Sequence, residues 1–508
     1  MQKKGHRYYH EIHVDPVFGM YQKKVERDFS KSRLTQIAPT IPVSTQTNWR
    51  LIYITSVITF LGSFEGAAIH MSEWPYMHQL DKEATVKFFG VAMSAAKAAH
   101  AMFVVVFSAW SLKYRTVKWP LITGRLIAII ACALYLCIEF IPSNRRYTLL
   151  LCYILFDISG SSAAILRAYI TMISAPEDRS KAFATLSVSL VLSIITGPLI
   201  QMAFTTIPYP GITILPNLKF NVYSAPIWIA GSTNFLSIMV IFWGLKEPKK
   251  IKKVHDQLEK PETFSIWTFE GLKLKLQTLK KLDVNWPLIF VVWIAKCGKS
   301  MTVRSIATLL SIILMVEYGW SGIETIRVTS VLMGGAGVLS LFVIGCFLFC
   351  KLGVMVPSRF IYLFSIVIFT SLFAITYPYK SIGIPVSPFN STDHTGCDTS
   401  KYPWCNGGIA PRLTVFLCSL VFVFGMTMPS ASISLDTIYS KLLENVDQNL
   451  MQGAAVILDD IVLVGTPTYA TYIYTHLGLK YLWVINASIM SFVVLLWVLM
   501  IRRFKFYS

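Results

Sequence analysis

Ionisable side chains stand inside stretches of this sequence that are otherwise apolar. Lys97, Asp157, Lys296 and the adjacent Asp459 and Asp460 lie deepest in such stretches; Glu65, Arg167, Lys299 and Arg304 lie nearer their ends. A charge in hydrocarbon costs several kcal/mol unless it faces water or an opposite charge. Each of these residues therefore marks either a wet route or an ion pair between helices. A wet route would let them select a solute by charge and carry protons, whereas ion pairs would only hold helices together. Holding a bundle together rarely needs so many buried charges, which favours the first reading for the set. Lys296, Lys299 and Arg304 fall within an arc of roughly 140° at about 100° per residue, so one helix face is cationic. His100 follows Lys97 by three residues and shares its face, where it could relay protons or pack as a hydrogen-bonded core histidine. Bases in the set slightly outnumber acids, a lean that hints at an anionic solute.

Other chemistries find no foothold. No GxxxxGK[ST], HExxH or CxxC pattern occurs, and Trp293 stands where a phosphate loop ending in Gly298-Lys299-Ser300 would need its first glycine. No nucleophile–base set or metal-ligand set is visible, so neither an enzyme nor a cofactor is expected.

The elements that must position these charges follow from composition. The 508 residues are 54% hydrophobic and only 14% charged, against roughly a quarter charged for soluble chains. A helix needs about 20 apolar residues to cross a bilayer. Runs of that kind predict twelve spans: 51–72, 87–110, 120–141, 148–173, 183–204, 224–244, 285–316, 323–350, 357–377, 413–435, 451–474 and 481–501. They are too long and continuous for barrel strands, so the expected fold is all-α and integral to the membrane. Six spans (49–244), a segment of about 40 residues (245–284) and six more (285–501) make a 6 + 6 plan, the layout of major facilitator transporters.

The net charge of +19 could suggest nucleic acid, but its placement argues otherwise. With both termini on one side, 30 of the 46 Lys and Arg residues share that side, which the positive-inside rule makes cytosolic. The cytosolic parts are then the basic tail 1–48, segment 245–284 and the tail 502–508. Residues 1–49 lack the apolar core of a cleavable signal, so the first span is expected to be the membrane signal. Within 264–282, apolar residues alternate with lysines as in an amphipathic helix lying on the anionic leaflet. Loop 378–412 reads as the only large one on the far side. It carries the N-glycosylation acceptor Asn390-Ser391-Thr392, with Cys397 and Cys405 close behind. A disulfide between those cysteines is plausible in an oxidising lumen.

Several stretches together resemble one family: Trp49-Arg50 with Trp74-Pro75-Tyr76, Leu166-Arg167-Ala168-Tyr169 with Glu177-Asp178-Arg179-Ser180, Gly197-Pro198, Thr395-Gly396-Cys397 with Trp404-Cys405, and Thr437 to Leu443. Their order and spacing are similar to those of the ceroid-lipofuscinosis neuronal protein 7 family, lysosomal members of the major facilitator superfamily. The likeness covers about 49–503, discontinuously. It implies twelve helices, a lysosomal or late endosomal membrane, and solute transport. It also implies that spans one, four, seven and ten line a central cavity, making Glu65, Asp157, Arg167, Lys296 and Lys299 cavity residues. Spans two and eleven would meet across the halves, so Lys97 could pair with Asp459 or Asp460 in one state. The chain departs from the superfamily's pattern at Ser108-Ala109-Trp110-Ser111, which has Lys113 and Arg115 but no acid, and at Tyr153, where an arginine is expected. Asp157 stands where small residues are usual. Tyr439-Ser440-Lys441-Leu442 fits a tyrosine sorting pattern but abuts a span.

The expected function is secondary transport of a small solute by alternating access, with a monomer as the default state. An anion-conducting channel of the same fold, or a transport-inactive regulatory protein, would use the same features.

Overall fold

The computed structural model describes residues 47–175, 178–216, 218–247, 285–350, 352–390, 394–443 and 448–507. The N-terminal tail and the amphipathic stretch 264–282 lie outside these, as do Glu177, Ser391 and Thr392. Eleven helices among the described residues are long and apolar enough to cross a membrane. The last of them is two spans in one: Gln448–Met500 breaks at Gly478, whose φ of 80° is left-handed and suits a residue without a Cβ. Twelve crossings result.

The first half comprises α1 (Trp49–Ile69), the short α2 (Glu73–Leu80), α3 (Val86–Tyr114), α4 (Lys118–Leu136), α5 (Arg145–Ser161), α6 (Ala163–Ile173), α7 (Arg179–Ala203) and α8 (Ala225–Gly244). Helices α5 and α6 form the fourth span, interrupted at Ser162. The second half comprises α9 (Trp286–Glu317), α10 (Gly322–Phe349), α11 (Ser358–Ile375), α12 (Leu413–Phe422), α13 (Met428–Leu442) and α14 (Gln448–Met500). A π turn, Val423–Thr427, joins α12 to α13 in the tenth span. It resets the register of the stretch that follows, a device common near functional sites.

Helix ends follow local rules. Asn48 caps α1 by accepting from Leu51 N at 3.2 Å, and Ser321 and Glu324 form a reciprocal capping box on α10. Within the first half α1 packs on α7 and α8, and α4 on α5 and α8. Across the halves α3 packs on α14, and α7 on α10.

Loop 378–412 is not the only large connection on its face, as the sequence suggested. Residues between α7 and α8 form an antiparallel hairpin, β1 (Ile212–Leu215) with β2 (Leu218–Phe220), and α2 stands between α1 and α3. Turn-forming polar residues in 205–224 interrupt the apolar runs, and a span count alone passes over them. Loop 378–412 itself is ordered by β3 (Ile384–Pro385) pairing with β4 (Ile409–Ala410) and by a bond between Cys397 and Cys405, Cα atoms 5.6 Å apart. Its Trp404 ring packs on Gly478 and lies 5.3 Å from the Tyr474 ring, so the loop covers the break between the last two spans.

The face of the bundle bearing this loop is called the loop face below, and the opposite one the terminal face. Contacts between the halves gather toward the loop face. Gly90 of α3 lies against Pro467 and Thr471 of α14, and the Ser94 and Thr468 hydroxyls bond at 2.7 Å. Gly322 abuts Tyr223 and Pro75, and Gly337 abuts Ile195.

Candidate functional site

Three helices of the first half are tied by a buried polar knot. Arg125 of α4 donates through one terminal nitrogen to Gly62 O of α1 at 3.1 Å and to Asn234 Oδ1 of α8 at 3.2 Å. The Asn234 amide in turn donates to the Glu65 carboxylate of α1. Glu65, Arg125 and Asn234 are 3%, 1% and 0% exposed, so their charges are compensated inside the protein and not by bulk water. Gly62 is required here, because a Cβ at that position would overlap the Arg125 guanidinium.

Beside the knot, Lys97 of α3 donates to Asp157 of α5 at 2.6 Å, each side chain about a quarter exposed at 25% and 23%. A cavity of about 270 Å³ opens between them, lined by Ser63, Glu65, Lys97, Tyr153, Asp157 and Arg304 among others. Arg304 is the one lining residue from the second half. Tyr153, in the place of the expected arginine, donates its hydroxyl to Glu73 O at 3.0 Å. Arg125, one span earlier, lines the same cavity.

The remaining charges continue from this cavity across the interface. His100 lies within electrostatic range of Lys97 and Asp157 in its own half and of Asp460 in the other. Asp460 also senses Asp459, Lys97 and Lys296. Lys299 donates to Ser432 Oγ of α13 at 2.7 Å, and Asp436, Asp459 and Lys296 surround it electrostatically. Lys97, Asp157, Lys296, Lys299, Asp459 and Asp460 thus form a chain of electrostatic neighbours, and Glu65 and Arg304 line the same cavity as Lys97 and Asp157. Arg167 is exposed on α6 and lies within electrostatic range of His100. Lys97 bonds within its own half, to Asp157; Asp460 is a more distant neighbour and Asp459 is not among its bonded partners. Among the described residues no group of three His, Cys, Asp or Glu side chains is placed to hold a metal ion.

Comparison with known proteins fits this arrangement. The sequence profile of the Major Facilitator Superfamily matches residues 44–388. The chain belongs to the major facilitator superfamily. Major facilitator superfamily domain-containing protein 8 of Xenopus laevis is 22% identical over 466 residues, covering 86% of this chain and 88% of its own. Among solved structures, the nucleoside transporter NupG superposes with a TM-score of 0.55 at 12% identity, over 89% of this chain and 99% of its own. A D-xylose–proton symporter gives 0.60 at 12% identity, over 88% and 97%. A bacterial homologue of the human lysosomal transporter Spinster, in an inward-facing and occupied conformation, gives 0.58 at 12% identity, over 90% and 98%. These likenesses show the fold: this facilitator is built as a membrane transporter, not as an enzyme.

Sequence reasoning passed over three polar residues of this facilitator: Arg125 and Asn234 of the buried knot, and the exposed Asp436, which lies within electrostatic range of Lys299. Arg125 stands only a few residues inside its apolar run and read as an end charge, although α4 begins at Lys118 and buries it. Asn234 is an uncharged amide in an otherwise apolar span, a signal that a search for charges does not register. Asp436 fell one residue beyond the expected span 413–435, whereas the helix continues to Leu442. The tyrosine pattern at Tyr439 lies inside that helix: its ring is 6% exposed and its hydroxyl donates to Met451 O at 2.7 Å. It is not available to a sorting receptor.

On the loop face a second polar cluster joins the halves. Lys82, between α2 and α3, meets His394 Nε2 of loop 378–412 at 2.8 Å. His78 of α2 is held from its ordinary 6.5 down to about 4, first by burial and then by Lys401, His394 and Lys82. A histidine kept neutral in the fold but free to charge when unfolded favours the folded form above pH 6.5; that contribution fades as pH falls toward 4. Purified protein is expected to lose about 1–3 kcal/mol of stability over that window from this group. His78→Gln should flatten the dependence of unfolding temperature on pH between 7 and 4.5; an unchanged slope would dismiss His78 as its source.

Proposed function

We propose that this chain is a secondary transporter that carries a small solute across a lysosomal or late endosomal membrane by alternating access. The observation that carries the reading is the polar cavity lined by the first half and by Arg304 of the second, with contacts between the halves toward the loop face. A ligand bound there touches both halves, so rocking them would move access from one side to the other. In this reading the termini and segment 245–284 are cytosolic and the loop face is luminal. The distribution of basic residues supports that orientation, as do the cysteine bridge and the Asn390 acceptor on the opposite face. Asn390→Gln should therefore abolish a glycosidase-sensitive mobility shift, and a shift that persists would move the glycan elsewhere. The residues resembling a lysosomal family support the compartment.

The decisive experiment compares the metabolites of purified lysosomes with and without the protein, then follows the affected solute in proteoliposomes. Saturable uptake, accelerated by solute on the far side, is expected. Flux linear in voltage without counter-transport would replace the carrier with an anion channel, and absence of flux would leave a regulatory protein.

The Lys97–Asp157 pair supplies a residue-level test. Lys97→Asp or Asp157→Lys alone places like charges in contact and should cut uptake by about 10- to 100-fold, in line with the coupling of contacting residues. The double swap should recover most of that loss. A double swap no better than either single change would show that the pair is not a unit.

A further inference from the structure

We infer that the cavity takes a small organic monoanion and that Arg304 receives its carboxylate. The inference rests on the transporter reading above and adds to it the charge of the solute. The acids lining the cavity are Glu65, Glu73 and Asp157. Each is already engaged: Glu65 by the Asn234 amide with Arg125 behind it, Asp157 by Lys97 at 2.6 Å, and Glu73 by His70 at 2.9 Å. Among the described residues Arg304 is the one base of the lining with neither an ion pair nor a hydrogen bond: Lys97 meets Asp157, His70 meets Glu73, and Arg125, whose Nε is likewise buried without a partner, donates to Gly62 O and Asn234 Oδ1.

Arg304 is partly buried, and a guanidinium inside a membrane protein with no acid beside it is completed best by an anion. Its planar fork of donors matches a carboxylate in two parallel bonds. Position strengthens the case. Arg304 projects from α9, in the second half, into a space otherwise walled by the first half. An anion on Arg304 that also touches Ser63, Thr59 or Tyr153 would join the halves through itself, which is what a transported solute must do. At about 270 Å³ the space lies at the small end of ligand cavities, which run from about 300 Å³ upward. That suits a compact acid with hydroxyl groups for the remaining lining.

The test uses carboxylate and amide versions of the same molecule, which differ in charge but scarcely in size: lactate against lactamide, and glucuronate against glucuronamide. Binding is read as thermal stabilisation of the purified full-length protein over a concentration series. At least one acid is expected to bind about tenfold or more tighter than its amide, the scale of a charge-assisted contact. Arg304→Gln should erase that preference and Arg304→Lys should keep part of it, with both variants eluting as the wild type does. Equal binding of acids and amides, no binding of either acid, or a preference that survives Arg304→Gln would each overturn the assignment. Proteoliposomes offered a lysosomal metabolite extract separate the two readings. Saturable uptake confined to neutral solutes leaves the carrier standing without its anion, whereas no saturable uptake at all removes the carrier itself.

Discussion

Arg125→Ala is expected to destabilise the first half by about 3–5 kcal/mol, because it leaves the Glu65 carboxylate buried without its countercharge. That loss is a large fraction of the roughly 5–15 kcal/mol that holds an ordinary domain folded. The guanidinium also bonds Gly62 O and Asn234 Oδ1, so truncation strips partners from α1 and α8 together. Unfolding of the detergent-solubilised protein should shift sharply, and expression at the membrane should fall. Glu65→Gln placed in the Arg125→Ala background should restore much of the stability, since the amide needs no countercharge yet still accepts from Asn234. Gly62→Val supplies an independent route to the same result, as its side chain would occupy the guanidinium's place. An Arg125→Ala protein that unfolds as the wild type does would show that the knot contributes nothing.

The same knot shows where sequence reasoning reaches and where it stops. Lipid penalises every unsatisfied polar group, so charged residues in apolar runs announce themselves one at a time. Glu65, Lys97 and Asp157 were visible for that reason, and so was the count of spans. Which charge meets which depends on how helices lean on one another, and no spacing within one helix contains that. Lys97 illustrates the difficulty: Asp460 and Asp157 lie on different helices packed against α3, and the structure gives the close contact to Asp157. Hydropathy also cannot see a polar residue with no charge, which is why Asn234 was silent. Nor can it see a helix that outlasts its apolar run, which is why Asp436 was placed outside. The broken fourth span at Ser162 and the π turn at Val423–Thr427 interrupt stretches that read as continuous. Both breaks fall in spans that bear on the cavity or its charges, where regular geometry gives way to positioning.

Gly90→Val is expected to hold the loop face open and slow transport about tenfold or more, an effect of geometry and not of charge. Helices α3 and α14 approach so closely that a Cβ at Gly90 would overlap Thr471 Oγ1 and stand 2.9 Å from the Pro467 carbonyl oxygen. The hydroxyl can turn aside, but the carbonyl belongs to the backbone and cannot yield unless the helix moves. Small residues at such crossings are what let membrane helices pack without a hydrophobic drive. Pro467 weakens α14 locally by removing one backbone donor, so the helix can bend at the level where the two halves touch. Valine at position 90 should therefore part the Ser94–Thr468 hydrogen bond first, because its 2.7 Å separation lies one turn away. A cysteine introduced at Ser94 reports on this directly. In the wild-type background a membrane-impermeant maleimide added on the loop side should label it slowly, and in the Gly90→Val background quickly. Uptake should fall while solute binding persists, since the cavity residues are untouched and only the return to the sealed state is obstructed. Trimming Thr471 to alanine should restore part of the rate, but the Pro467 carbonyl would still bar complete closure. Equal labelling of the two backgrounds would mean that this crossing is no gate, and that the loop face is sealed by the Lys82–His394 cluster instead.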